Sequence, residues 1–169
     1  LHAHTTLSFD AFIGSLPMMH GEGSRPLADA CDFARFCSAL DFWSINDHAE
    51  ASTPRRWSET VESIQQCNAV GGNGQNPDTV AFLGWEWTQV GATPETHYGH
   101  KNVIFRDIET ENVPSRPIHS GGIANTALRG LPLRNGPLLF ALDPNQRMLD
   151  FNLYLHELRQ SEECEKGKN

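Results

Sequence analysis

No stretch of this 169-residue chain comes near the ~20 consecutive apolar residues that a membrane-spanning helix needs, and no repeat or low-complexity block interrupts it. Basic residues are scarce: 13 Lys and Arg stand against 21 Asp and Glu, for a net charge of −8. That balance argues against a protein that grips a nucleic-acid backbone through a basic face. It leaves room for an anionic small molecule, because bound cations supply positive charge locally. Cysteine is sparse too. Cys31, Cys37, Cys67 and Cys164 show no C-x-x-C or other zinc spacing. Cys31 and Cys37 stand six apart on one expected helix and so face different ways. With Cys67 they are expected to be small buried hydrophobes rather than ligands or bridges. Leu1 is not preceded by an initiator Met, so the absence of a leader says nothing about compartment, and secreted, periplasmic and cytoplasmic locations all stay open.

What is present is an ordinary globular composition, 38% hydrophobic and 20% charged, in a chain long enough for one real core. Leu1 to Thr5 reads as the end of a first strand. Ser24 to Leu40 reads as a helix, with Ser24 as cap, Pro26 in the first turn, and Leu27, Ala30, Cys31, Ala34 and Cys37 on one face. "DFWSIND" is a short buried strand. Trp57, Val61, Ile64 and Cys67 recur at helical spacing, and "TVAFLGWEWTQV" and "HKNVIFRD" are two further strands. Residues 108–142, with Pro114, Pro117, Pro132 and Pro137, are expected to hold no regular element. Asp143 to Gln146 opens a last helix with Met148, Phe151, Leu155 and Leu158 as its buried stripe, and 161–169 reads as a solvated tail.

Strands alternating with helices predict an α/β fold with a parallel sheet, and such folds collect their chemistry at the carboxyl ends of the strands. His2 and His4 end the first strand, Asp47 and His48 end the second, and Glu86 lies late in the third. Residues i and i+2 of a strand share a face, so His2 and His4 can grip one ion together. Asp10, on the loop beyond them, can reach an adjacent one. A carboxylate such as Glu86 can bridge two cations. Imidazole mixed with carboxylate favours Zn, Mn or Fe over Ca or Mg. Asp47 is expected to orient His48 or its loop rather than to ligate. Glu50, His20, His119 and His156 are expected to be structural or exposed, Trp85 and Trp87 to belong to the core, and Lys101, Arg106 and Arg55 to be solvated charges.

Four stretches in order, "LHAHTTLSFDAF", "INDHAE", "FLGWEWT" and "HKNVIFRD", resemble the PHP (polymerase and histidinol phosphatase) superfamily, and most closely its DUF3604 branch. The resemblance covers residues 1–107 well and the remainder loosely. It implies metal ligation by His2, His4, Asp10, His48, Glu86 and His100, with His100 preferred over His97. Two or three divalent ions and a catalytic centre around Glu86 and Asp47 are implied with it. The implied activity is hydrolysis of a phosphoester or related ester of an anionic small molecule. The implied fold is a distorted (β/α)7 barrel. Asn46 stands where the family has Thr. No Asp-x-His follows Glu86, and a full barrel of this kind takes about 250 residues. The chain is therefore expected to be the N-terminal part of such a domain, inactive by itself. The alternatives are an amidohydrolase-type enzyme, for which Lys101 is the one central lysine, and a metal-binding piece without turnover.

Overall fold

In the computed structural model, residues 1–16, 19–72, 74–130 and 149–161 are described. The chain runs through β1 (His2–Ala3), α1 (Phe9–Ser15), α2 (Ala28–Asp32), β2 (Phe42–Ile45), α3 (Pro54–Val70), β3 (Val80–Gln89), β4 (Gly99–Ile104), α4 (Ile123–Gly130) and α5 (Leu149–Gln160). α2 continues as a π-helical turn, Phe33–Cys37, and single 3-10 turns cover Ala49–Ala51 and Thr110–Asn112. The strands form one open, mixed sheet in the order β1-β2-β3-β4. β1 pairs parallel to β2, with His2 opposite Ser44, and β2 pairs parallel to β3, with Ile45 opposite Leu83.

β4 departs from the all-parallel expectation: it runs antiparallel to β3, with Glu86 opposite Asn102 and Thr88 opposite His100. The reason lies in the connection. A parallel return needs a crossover of about a dozen residues or more, and the short loop between Gln89 and Gly99 folds back as a hairpin instead.

The core has two parts. In the first, Trp43, Ile45, Leu83 and Trp85 of the sheet pack against Trp57, Val61 and Ile64 of α3 and Ala34 behind α2; Trp87 is half-buried at its margin. α3 starts at Thr53, whose hydroxyl accepts from the Arg56 amide, with Pro54 following where its missing N–H costs nothing. In the second, α5 lays Tyr154, Leu155 and Leu158 against Phe12 of α1, Leu16 just beyond its end, and Leu128 of α4. Phe12 stacks on Tyr154 at 4.2 Å between ring centroids. Leu155, Leu158 and the half-buried Phe151 match the expected stripe; Met148 and the helix start at Asp143 lie outside the described residues. Buried Arg56 ties the two parts, donating to the carbonyls of Ala51 (2.7 Å) and Tyr154 (2.8 Å) and to Glu157 (3.1 Å).

Three further expectations are corrected. The segment 108–142 contains α4 between Ile123 and Gly130, a helix that the surrounding Pro and Gly concealed. The helix expected from Ser24 begins only after Leu27, so Ser24 is not its cap. Cys31 and Cys67 are not free hydrophobes: they are disulfide-bonded, Cα to Cα 5.8 Å, where α2 crosses α3, and Cys37 is exposed rather than buried. Among the described residues, no helix is long and apolar enough to cross a membrane.

Asn46 works where Thr was expected. Its amide donates to the carbonyls of Trp85 (3.2 Å) and Val103 (3.3 Å) and so ties β2 to the β3–β4 pair. That close approach requires Gly84. A Cβ there would clash with the Val103 carbonyl and lie 2.9 Å from Asn46 Nδ2. Gly84→Ala is expected to cost about 3 kcal/mol, the upper part of the usual overpacking range, read as a lowered urea midpoint. An unchanged midpoint would show that the hairpin relaxes freely.

Candidate metal centre

β1 is only two residues long, but its pairing to β2 sets His2 and His4 beside the carboxyl ends of β2 and β3. The chain then turns sharply into α1. Asp47 anchors this turn: its carboxylate accepts from the Thr5 amide at 2.5 Å and the Thr5 hydroxyl at 2.6 Å. Asp47 therefore holds the loop after β1 rather than His48, and burial raises its carboxyl above the usual range. Asp10 sits in the first turn of α1, not on a loop. His48 follows β2, its amide donating to Ser8 Oγ at 3.1 Å, and an isolated bridge sets it beside Glu86. His100, on β4, comes in from the opposite side.

The six residues expected from the sequence thus meet at one place. Glu86 is the centre, its side chain only 7% exposed. One oxygen, Oε2, lies 3.1 Å from His4 Nε2 and 3.7 Å from His2 Nε2. The other, Oε1, faces His48 Nδ1 at 3.6 Å and is in direct contact with His100 Nδ1. Asp10 closes the outer side, its Oδ2 3.1 Å from His4 Nδ1 and 3.8 Å from His48 Nε2. Three overlapping triads result, His2–His4–Glu86, His4–Asp10–His48 and His48–Glu86–His100, each with ligand atoms within 4.8 Å of one another. Donors ~2.0–2.2 Å from a tetrahedral ion stand about 3.4 Å apart. The separations of 3.1–3.8 Å among His2, His4, Asp10, His48 and Glu86 fit ions placed between them, whereas the direct His100–Glu86 contact would have to open to admit one.

The electrostatics suit the same use. Hydrogen bonding to Asp10 raises His4 above the ordinary imidazole value despite burial, and the same contact draws Asp10 well below the usual carboxylate range. Burial holds His48 below the ordinary value, against the pull of Asp10 and Glu86. Burial also works to raise Glu86, but the His100 hydrogen bond and the charges of His48 and His4 outweigh it, and the net shift is downward. The shifts of Asp10, Glu86 and His48 favour the anionic and neutral forms that cations require of such ligands, while the shift of His4 runs the other way, so that a cation there would have to displace a proton.

Other candidates lie elsewhere. His97 and His156 are exposed, and His20 is exposed in a left-handed turn at φ 61°. Arg55 pairs with Glu157 and Glu59, Arg106 with Asp107, and Lys101 donates to the Tyr98 carbonyl. Glu50 is buried and accepts from the Thr88 amide at 3.2 Å, a structural contact.

Sequence reasoning missed Thr88. Its hydroxyl lies 2.8 Å from His48 Nδ1, 3.1 Å from His100 Nδ1 and 3.4 Å from Glu86 Oε1. The signal that could have found it is its place two residues beyond Glu86, on the same face of β3. Comparison with known proteins adds no relative: no family model, no curated protein and no solved structure matches the chain.

Proposed function

We propose that the chain carries the metal-ligating part of a metal-dependent hydrolase that cleaves a phosphoester or related ester with a metal-activated water. The observation that carries this reading is the two-sided placement of Glu86, with His2 and His4 on one oxygen and His48 and His100 on the other. A single carboxylate shared in this way suits two or three divalent cations, and the donor mix favours Zn, Mn or Fe. Such ions, when bound, make water nucleophilic at neutral pH and steady the charge that develops on the attacked group. The chain's own residues do the positioning. Glu86 and Asp10 contribute the negative charge that holds cations together, and Asp47 fixes the loop through Thr5. The candidate arginines and Lys101 are engaged elsewhere, so an anionic substrate would be drawn by the ions themselves.

The open sheet with its helices is compatible with the first part of a distorted (β/α)7 barrel, the architecture we propose for the complete domain. An amidohydrolase-type centre is less well supported. Its bridging lysine would have to be Lys101, whose ammonium contacts the Tyr98 carbonyl on the exposed side of the hairpin. The test is a panel of phosphomonoesters, phosphodiesters and sulfate esters offered to the full-length protein with added Mn or Zn. Turnover abolished by a chelator and restored by metal is expected. Full metal loading with no turnover of any member would overturn the ester hydrolase reading.

A further inference from the structure

Three triads share only six side chains, and His48 belongs to two of them. It can offer Nε2 to the ion held with His4 and Asp10, or Nδ1 to the one held with Glu86 and His100. The hydrogens around Thr88 decide between these. Thr88 is 4% exposed, and its hydroxyl has one hydrogen and two lone pairs. The carboxylate of Glu86 can only accept, and a hydroxyl hydrogen directed to its Oε1 at 3.4 Å leaves the lone pairs for His48 Nδ1 at 2.8 Å and His100 Nδ1 at 3.1 Å. In that arrangement His48 carries its proton on Nδ1 and donates it to Thr88. Its Nε2, 3.8 Å from Asp10 Oδ2, is left with a free lone pair.

The hydroxyl is itself held in place. The Thr88 amide donates to Glu50 Oε1 at 3.2 Å, and the Thr88 carbonyl accepts from Ser120 Oγ at 2.5 Å. Glu50 is 2% exposed, on the 3-10 turn directly after His48, and Ser120 comes from the segment before α4. Thr88 is therefore held on the β2 side of β3 by Glu50 and Ser120, which also lie 3.4 Å from each other.

We propose that Thr88 is a positioning residue. Its hydroxyl fixes the tautomer and ring orientation of His48, and so turns Nε2, with its lone pair, to the Asp10 side of the cluster as a metal donor. This rests on the metal reading of the cluster. It also gives Glu50 and Ser120 a purpose, since a ligand is only as well placed as the group that orients it.

The test uses two readouts on the same protein. Long-range proton–nitrogen NMR of the metal-free protein reads the His48 tautomer, and a zinc titration followed by calorimetry reads affinity. The wild type should show His48 protonated on Nδ1. Thr88→Val keeps the shape but removes the hydroxyl; mixed His48 tautomers and roughly 10–100-fold weaker zinc binding are expected. Thr88→Ser should restore both. A wild-type His48 protonated on Nε2 overturns the proposal whatever the variants do, and so does a folded T88V protein that binds zinc as tightly as wild type. If the wild type takes up no zinc while T88V still changes the tautomer, the orienting role stands and the metal reading alone is lost.

Discussion

Glu86→Gln is expected to weaken metal uptake by roughly 100-fold or more, and to do so for ions on both sides of the residue at once. Substituting a group that merely orients a ligand costs about 10–100-fold in affinity. Glu86 offers one oxygen to each side of the cluster, so its loss should reach at least the top of that range. Glutamine keeps the shape, but one oxygen becomes an NH₂ that cannot ligate, and the negative charge between the cations is gone. The pattern across variants is the discriminating feature. His2→Ala should affect only the ion on the Oε2 side, His100→Ala only the one on the Oε1 side, and Glu86→Gln both. Metal content after dialysis, measured for the three variants, checks this. A Glu86→Gln protein retaining the wild-type metal content would show that the carboxylate is only a hydrogen-bond partner of the histidines.

How much of this centre could be seen in the sequence follows from the range of each signal. His2 and His4 declare themselves through period-two spacing, and Glu86 through its setting in an apolar, β-rich stretch where a carboxylate needs a reason. His48 follows from its place at a strand end, whereas His100 is reached only through the resemblance of "HKNVIFRD" to a family motif. Thr88 stayed hidden because threonine is at home in any strand, and only the three-dimensional meeting of β3, β4 and the loop after β2 gives its hydroxyl three partners. The antiparallel β4 was within reach, since the connection before it is too short for a crossover. α4 was not: eight residues among prolines and glycines carry little periodicity, and its burial of Leu128 depends on α5, which comes about twenty residues later. The Cys31–Cys67 pairing lies at the same limit, because no local pattern marks which faces of two helices will touch.

That pairing carries the second large effect. Cleaving the Cys31–Cys67 bond is expected to lower stability by about 4 kcal/mol, the loop-closure entropy for a separation of 36 residues. For a chain of this size the loss corresponds to a melting temperature lower by roughly 8–16 °C. The bond joins the middle of α2 to the last turn of α3, and Cys31 packs in the same cluster as Trp43 and Ile45 of β2. The strand that positions β1, and with it His2 and His4, is therefore backed by a helix that the disulfide helps to hold. Both sulfurs are buried, so reductant should act slowly on the native state and quickly once urea opens it, whereas exposed Cys37 should alkylate at once. Urea unfolding with and without reductant, alongside mass spectrometry of alkylated thiols, measures both. Identical urea midpoints in the two conditions would remove the bond from the stability of the fold. Native protein in which Cys31 and Cys67 alkylate as fast as Cys37 would show that the bond does not form.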